Sequence, residues 1–388
     1  QLTRWQGFSS LEKLSLANTG LSDEMLSYLL PQIRNVSELN LSANQLTPNS
    51  FEYWNTTNSP LKTLILANNN WANGNFSQLG LIFSAKFPKM QILSFANTQL
   101  NDISFYNFIQ SYGPREISQN KTDAFLNVRN NIISDQSLNP ETSFLVAQSQ
   151  WTQWDLSENS ITMSGLTNFI RQNDYHLTTL IIENVFLGNQ IINMLNGFNL
   201  PYLRQLVLNN QNLDPQSSND LSLFLQNHPQ IASLSLNDNS LTEIPQGFEH
   251  LKKLEMKGNP LTAKEAREAW RKLNKNSSIE EINFAQTGLS DEVITDLVKR
   301  LISDSYDLEK EGSPDEARAI NRAFPQTSIR NITFFGIGGA TSANLICREA
   351  GPAKLDSTNL VPWFESNQIN LQTCETSTAS SQGLPWIW

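Results

Sequence analysis

The side chains that could take part in catalysis are few and scattered along the sequence. Its three histidines, His176, His228 and His250, lie far apart, and no metalloprotease, phosphate-loop or paired-cysteine motif is present. A glycine-rich stretch at residues 335–339 lacks a phosphate-loop lysine, so we interpret it as a tight turn. We therefore expect no enzymatic activity, no catalytic residue, no cofactor and no metal site.

Side chains suited to binding a protein are better represented than catalytic ones. Apolar residues recur at fixed places in a repeated phrase, and charged residues lie beside them: Ile65, Ile92, Phe125, Ile181 and Val207, with Arg129, Asp155, Glu158, Glu183 and Arg204. We expect the apolar group to be exposed, and exposed apolar side chains with a charged rim are typical of an interface. The competing explanation, that β-branched residues simply suit strands, stays open.

A repeated phrase, L-x-x-L-x-L-x-x-N-x-L, must position these side chains, because a fixed-period repeat decides the architecture. One clean copy runs from Val36 to Leu46. Other clear copies start at Leu61, Trp151, Ile231 and Leu251. Weaker copies bring the number of units to about twelve; they start at Leu11, Met90, Leu177, Leu203, Ile279 and Ile329, and a poor one centres on Leu126.

The spacing within the phrase predicts a short strand with alternating side chains. Positions one, four, six and eleven are apolar and should be buried, whereas positions three, five and seven should point outward. We predict parallel strands centred on Leu39, Leu64, Leu93, Leu126, Trp154, Leu180, Leu206, Leu234, Leu254 and Ile282. The asparagine at position nine can satisfy buried backbone groups, which Val185 cannot do in its own repeat.

This phrase resembles the signature of leucine-rich repeat proteins, and the resemblance covers most of the chain. It implies an α/β solenoid, horseshoe-shaped, with a parallel concave sheet and a mainly helical convex side. Such a stack usually offers a long surface that binds another macromolecule. The partner we expect is a protein that docks on the concave face.

The segments that follow the phrase indicate the subtype of repeat. Ser22 precedes two acids and should cap a helix, and Thr262 with Glu265 forms a capping box. Helices at these places are typical of the ribonuclease-inhibitor-like subtype. The unit between Leu241 and Leu251 is shorter and resembles repeats with an extended convex segment.

Composition limits the classes of partner and compartment. A net charge of −10 argues against nucleic acid, and no apolar run is long enough to span a membrane. The only cysteines, Cys347 and Cys374, lie near the C-terminus, which favours a reducing setting, although a bridge between them stays open. No secretory signal is visible, but the chain begins at Gln1, so a preceding leader also stays open. We expect a monomer.

Two segments interrupt the repeats. We assign residues 1–339 to the repeat domain, with a helical insertion near 302–328, and residues 340–388 to a C-terminal cap and tail. Ser313 and Pro314 form a strong helix start in the insertion. The insertion could be a longer convex hairpin or an element that contacts a partner, and we favour the hairpin.

The chain as a whole resembles leucine-rich repeat effectors of intracellular Gram-negative bacteria, many of which pass through a type IV secretion system. The resemblance consists of heavy Asn and Gln usage, the absence of cysteine caps and a polar tail that ends in an apolar element from Leu384 to Trp388. It implies delivery into the host cytoplasm and binding to a host protein or to another bacterial effector.

Two alternatives from other classes stay open. Some proteins with this fold activate small GTPases, which would require an arginine or asparagine on a loop, and Arg129 is the one basic residue at a central concave loop. The other alternative is a fragment of an innate-immune or plant-type receptor. The lack of cysteine caps and of the plant-type repeat argues against that fragment.

Overall fold

The computed structural model describes residues 10–54, 58–72, 74–114, 123–149, 151–270, 278–289, 293, 331–333 and 370–371. These residues fall into two compact units. The first unit holds the described residues up to Asn212 together with Asn227–Ile231, and the second holds Leu213–Gln226 and the described residues from Ala232 onward.

Each unit carries a parallel sheet whose strands pair in chain order. In the first unit the strands are β1 (Lys13–Ser15), β2 (Glu38–Asn40), β3 (Thr63–Ile65), β4 (Ile92–Ser94), β5 (Phe125–Asn127), β6 (Gln153–Asp155), β7 (Thr179–Ile181) and β8 (Gln205–Val207). In the second unit they are β9 (Ser233–Ser235), β10 (Lys253–Glu255), β11 (Glu281–Asn283), β12 (Asn331–Thr333) and β13 (Asn370–Leu371).

The strand predictions from the phrase are confirmed. Each predicted central residue, from Leu39 in β2 to Ile282 in β11, is the middle residue of its strand. These ten side chains are at most 2% exposed. Neighbouring strands pair in the same register, for example Leu126 with Trp154 and Trp154 with Leu180. The chain is therefore an α/β leucine-rich repeat solenoid, as expected.

Helical segments connect most of the described strands. The α-helices are α1 (Asp23–Leu29), α2 (Phe76–Lys86), α3 (Asp102–Tyr112), α4 (Pro140–Ala147), α5 (Met163–Asn173), α6 (Gln190–Asn196), α7 (Ser218–Asn227) and α8 (Ala263–Trp270). The side-chain caps are present as predicted, since Ser22 accepts from the Met25 N–H and Thr262 from the Glu265 N–H. The Thr262 N–H donates to Thr242 O, so only half of the predicted capping box forms. The predicted short repeat has only a 3-10 turn at Phe248–His250 between its strands.

The position-nine asparagines hold successive repeats together. Asn159 Nδ2 donates to the carbonyls of Val128, Leu156 and Ser157 at 2.9, 3.1 and 3.0 Å, and its Oδ1 accepts from Ile133 N at 3.1 Å. One amide thus satisfies backbone groups of its own repeat and of the preceding one. Gln211 does the same for the repeat of Val185, since it accepts from Leu187 N and donates to Ile182 O.

A second ladder, which the sequence analysis did not predict, lies at the starts of the helices. Asp23 accepts from Thr47 N at 2.8 Å, Asp102 from Ser134 N at 2.8 Å and Asp135 from Thr162 N at 2.7 Å. In each case the hydroxyl of the same Thr or Ser also donates to the aspartate. An aspartate of one repeat therefore fixes the start of the next convex segment.

Several predictions fall outside the described residues. These are the insertion near 302–328, both cysteines, and residues 340–388 apart from β13. The division of the chain at residues 339 and 340 stays a prediction. Strand β13 lies in the segment predicted to be a cap, and it pairs in parallel with β12.

Candidate functional site

The outward-facing side of the sheet in the first unit, called here the sheet surface, carries the candidate site. It is formed by phrase positions three and five, which lie in β1–β8, and by position seven, which follows each strand. Beneath its centre, the ring of Trp154 contacts Phe105 and Phe169, with centroid distances of 6.4 and 5.3 Å. This buried aromatic packing fixes the position of β6.

The predicted apolar residues occupy two different rows of the sheet surface. Ile92 and Phe125 are paired neighbours at position three and are half-buried. Ile181 and Val207 are paired neighbours at position five, and Ile65 lies in the same row on β3. The structure therefore brings these residues together in two pairs and leaves Ile65 apart.

The expectation that all five apolar side chains are exposed is wrong for three of them. Ile65, Ile181 and Val207 are 5%, 3% and 4% exposed. In a parallel ladder each side chain is flanked by its counterparts on the adjacent strands, roughly 4.8 Å away on either side, and the flanking side chains cover it. Within this group, Ile92 and Phe125 are the residues whose apolar side chains are partly exposed to solvent.

Four charged residues of the prediction form one network, called here the acid–arginine cluster: Arg129, Asp155, Glu158 and Glu183. The Arg129 guanidinium donates through Nη2 to Glu158 Oε1 at 2.6 Å and through Nη1 to Glu183 Oε2. Arg129 and Glu183 lie 54 residues apart in the chain. The arginine therefore spans from its own repeat across the next one to the one after.

Neighbouring amides hold the two glutamates of the cluster in place. Asn209 Nδ2 donates to Glu183 Oε1 at 2.6 Å, and Asn184 Nδ2 donates to Glu158 Oε1 at 3.1 Å. Glu158 has left-handed backbone with φ of 54° at phrase position eight, where most other repeats place asparagine. This conformation disfavours a long side chain by about 1 kcal/mol or more, so a glutamate here is unusual.

Asp155 is completely buried, close enough to Arg129 for their charges to interact. It and Ser157 belong to the repeat that Arg129 crosses, and both are 0% exposed. Asp155 Oδ1 accepts from Ser157 N at 3.0 Å. Its other oxygen, Oδ2, is buried and has no hydrogen-bond partner among the described residues. A buried carboxylate with a vacant acceptor is unfavourable unless something else satisfies it.

The pKa values reflect this arrangement. Burial raises the pKa of Asp155 to about 6, against the hydrogen bonds from Ser157 and the charge of Arg129, and the charge of Glu183 adds to the rise. Burial alone would lower the pKa of Arg129, but its hydrogen bond and charge interaction with Glu183 outweigh burial and raise that pKa. The arginine therefore stays charged, whereas the pKa of Asp155 lies well above the ordinary value of a carboxyl group.

A second charged cluster, in the second unit, provides a contrast. Lys253 lies 2.8 Å from Glu255 Oε1 and 3.5 Å from Glu281 Oε2. Glu255 Oε2 accepts from Asn237 at 2.9 Å and from Ser235 at 3.3 Å, so both of its oxygens are satisfied. Burial opposes ionisation of Glu255, but the interactions with Lys253 outweigh it and lower the pKa.

The remaining predicted residue, Arg204, does not join the acid–arginine cluster. It is exposed and immediately precedes β8, whereas Arg129 follows β5, so the two lie at opposite ends of their strands. Ser157 and Asn209 also belong to this site, although they were not among the residues predicted from the sequence. The sequence does contain a pattern that could have predicted them. Position seven of four successive repeats holds Arg129, Ser157, Glu183 and Asn209, so a small serine separates the arginine from the glutamate that it reaches.

Comparisons with known proteins add similarity of fold but no named family. No family model matches the chain, and no curated protein matches it. Solved structures with which it aligns are all leucine-rich repeat proteins. The yeast Rad7 and Elc1 complex matches at 17% identity and a TM-score of 0.49, covering 75% of this chain and 73% of the other. Internalin C2 from Listeria monocytogenes matches at 20% identity and a TM-score of 0.33, covering 65% of this chain and 80% of the other.

The mouse RP105/MD-1 complex matches at 14% identity and a TM-score of 0.38, covering 67% of this chain and 48% of that one. The chain thus spans about half the length of that protein. At these identities, function has to be argued from the residues of this chain. Within the described ranges no cluster of His, Cys, Asp or Glu could hold a metal ion, and no helix could cross a membrane.

Proposed function

We propose that the chain is a non-enzymatic protein-binding scaffold whose partner docks on the sheet surface of the first unit. The observation that carries this proposal is the acid–arginine cluster, in which charged side chains from three successive repeats are locked at fixed spacing. Rigidly held polar groups lose little conformational freedom on binding, which favours a specific interface.

The neighbouring apolar pair supports the same location for the interface. Ile92 and Phe125 are half-buried on paired strands, and Phe125 belongs to the repeat of Arg129. Aromatic and arginine side chains dominate the binding energy of many protein interfaces. An apolar pair beside a charged network matches the usual apolar centre and polar rim.

The alternative of a GTPase regulator finds no support in the position of Arg129. An arginine that activates a GTPase must reach the transferred phosphate of a bound nucleotide. Here the guanidinium is engaged by Glu158 and Glu183, and 29% of its side chain is exposed. Freeing it would break two charge-assisted hydrogen bonds.

The proposed docking surface is tested with Phe125→Ala. A partner captured on the wild-type chain and identified by mass spectrometry should bind this variant more weakly by at least ~2 kcal/mol, since the ring lies at the expected apolar centre. Circular dichroism checks the fold. Ile103→Ala is the matched control, because Ile103 is 73% exposed on α3, away from the sheet. Unchanged affinity in Phe125→Ala would place the interface elsewhere.

We also propose that the protein is a bacterial effector that acts in the host cytoplasm on a host protein or another effector, and that its repeats are of the ribonuclease-inhibitor-like subtype. The support is its composition, its polar tail and the helices that follow most strands. A full-length fusion to an adenylate cyclase reporter should raise host cyclic AMP only when the bacterium has a working type IV system. Equal signals with and without that system would contradict this route.

A further inference from the structure

The acid–arginine cluster and the cluster around Lys253 have similar compositions but differ in how their acids are satisfied. In the second unit, Glu255 is paired with Lys253 through one oxygen and bonded by Asn237 and Ser235 through the other. In the first unit, Asp155 is completely buried, and its Oδ2 has no partner among the described residues. The first cluster is therefore incomplete, whereas Glu255 is fully paired.

The charge balance of the first cluster points to the missing group. Asp155, Glu158 and Glu183 carry three formal negative charges, and Arg129 supplies one positive charge. The polar residues that pair with or bond to these acids besides Arg129 are neutral: Asn127, Ser157, Asn184 and Asn209. A surplus of carboxylate at a partly buried site favours an additional cation.

We propose that the acid–arginine cluster is a receiving site for a lysine or arginine side chain of a basic protein segment. This inference rests on the proposed function and deepens it by stating the chemistry of the partner. The incoming cation pairs with Glu158 and Glu183, whose side chains are 32% and 14% exposed and so can be reached from solvent.

Arg129 makes this exchange feasible. Its guanidinium bonds the two partly exposed glutamates and lies close enough to the buried Asp155 for their charges to interact, and it has five N–H donors in a planar fork. When a second cation takes over the glutamates, its hydrogen bonds replace the two that Arg129 gives up, and Arg129 can turn toward Asp155 Oδ2 and satisfy it. The burial of Asp155 then becomes favourable in the complex, because both of its oxygens accept hydrogen bonds.

The test is selection of a random dodecapeptide library displayed on phage against the full chain. Peptides retained by the wild-type chain should be enriched in Lys and Arg, and a synthetic copy of one should lose at least tenfold in affinity when its basic residues become glutamine. Glu183→Gln should weaken binding of the basic peptide at least tenfold. Glu281→Gln, from the second cluster, should leave it unchanged.

Calorimetry supplies a readout that a purely structural role would not move. At a pH near 6, where Asp155 titrates, binding of the basic peptide should release protons as Arg129 lowers the pKa of Asp155. Asp155→Asn should abolish that release. Comparing buffers with different ionisation enthalpies measures it. If the wild-type chain bound the peptide tightly without releasing protons, the proposed turn of Arg129 toward Asp155 would be wrong.

The outcomes separate this inference from the proposed function. Retained peptides that lack basic enrichment, bind Glu183→Gln normally and bind Phe125→Ala weakly would overturn the receiving site and leave the docking surface intact. Retained peptides that bind both variants as well as the wild-type chain would overturn both. Equal loss in Glu183→Gln and Glu281→Gln would show general electrostatic attraction and would also overturn the receiving site.

Discussion

Asp155 occupies a position where an ionised side chain destabilises the folded protein. Its carboxylate is buried, one oxygen has no hydrogen-bond partner in the described part of the chain, and its pKa is raised to about 6. A leucine-rich repeat does not need an acid at position five, because other repeats place Ser15, Ser94 or Val207 there. Residues that reduce stability without a structural role are typical of functional sites.

The substitution Asp155→Asn should therefore stabilise the protein at pH 7. The rise from 3.8 to about 6 corresponds to about 3 kcal/mol. The folded state binds the proton more tightly than the unfolded state, so wild-type stability falls as pH rises from about 4 to about 6. The gain in Asp155→Asn should thus be full above pH 6 and vanish below pH 4. Urea unfolding followed by circular dichroism measures it.

Glu255→Gln is the matched control for that prediction and should have the opposite sign. The pKa of Glu255 is lowered by Lys253, so its ionised form stabilises the folded state above its ordinary pKa and the effect is lost in acid. This variant should be less stable than the wild type at neutral pH. If both variants destabilised the protein equally at pH 7, the carboxylate of Asp155 would not carry an energetic penalty.

The side-chain amide of Asn159 should contribute more to the stability of the fold than its partial exposure indicates. Four hydrogen bonds join it to backbone groups of two repeats. Asn159→Ala should destabilise the protein by about 1–3 kcal/mol, because buried backbone groups lose their partners. Leu156→Ala, which empties a fully buried position, should cost about 2–5 kcal/mol. Chemical denaturation gives both values.

Ser160→Ala serves as the control for these two variants. Ser160 is an exposed residue next to Asn159, and its backbone N–H donates to Ile133 O, a hydrogen bond that alanine keeps. Its effect on the free energy of unfolding should stay within about 0.5 kcal/mol. Equal stability of all three variants and the wild type would mean that Asn159 and Leu156 do not hold the repeat together.

At the scale of elements, the sequence predicted every strand centre from Leu39 to Ile282, because apolar spacing and burial are tied together by the fixed geometry of a strand. It could not predict the reach of Arg129 across a repeat, because that depends on the size of Ser157 and on side-chain rotamers. It also missed the burial of Ile181 and Val207. Exposure at position five depends on what the flanking strands carry, and a single phrase does not contain that information.

The aspartate ladder leads to a prediction about α5. A Cβ added at Gly165 would lie 2.4 Å from Asp135 Oδ1, which accepts from the cap residue Thr162. Gly165→Ala should destabilise the protein by about 1–3 kcal/mol, since the methyl group displaces that carboxylate. In an Asp135→Ala background the carboxylate is gone, but the Cα of residue 135 still lies 3.0 Å from the added Cβ, so the same change should destabilise the protein less than it does in the wild type. A double-mutant cycle from denaturation curves measures the coupling, and additive effects would contradict it.

At the scale of the whole molecule, charge complements the proposed receiving site. The chain carries 37 acidic and 27 basic residues, a net charge of −10. A basic segment is therefore attracted at long range before it meets Glu158 and Glu183. Such attraction raises the association rate more than it slows dissociation. The cluster and the net charge thus favour the same class of partner by different routes.

Long-range attraction of this kind predicts a specific dependence of the binding rates on salt concentration. As the screening length falls from about 10 Å at 0.1 M to about 3 Å at 1 M, the association rate constant of the selected basic peptide should fall roughly tenfold. Its dissociation rate should change less, because buried pairs are screened less than exposed ones. Stopped-flow fluorescence measures both rates. The glutamine-substituted peptide is the control, and an equally strong salt dependence in that peptide would contradict electrostatic steering by the chain.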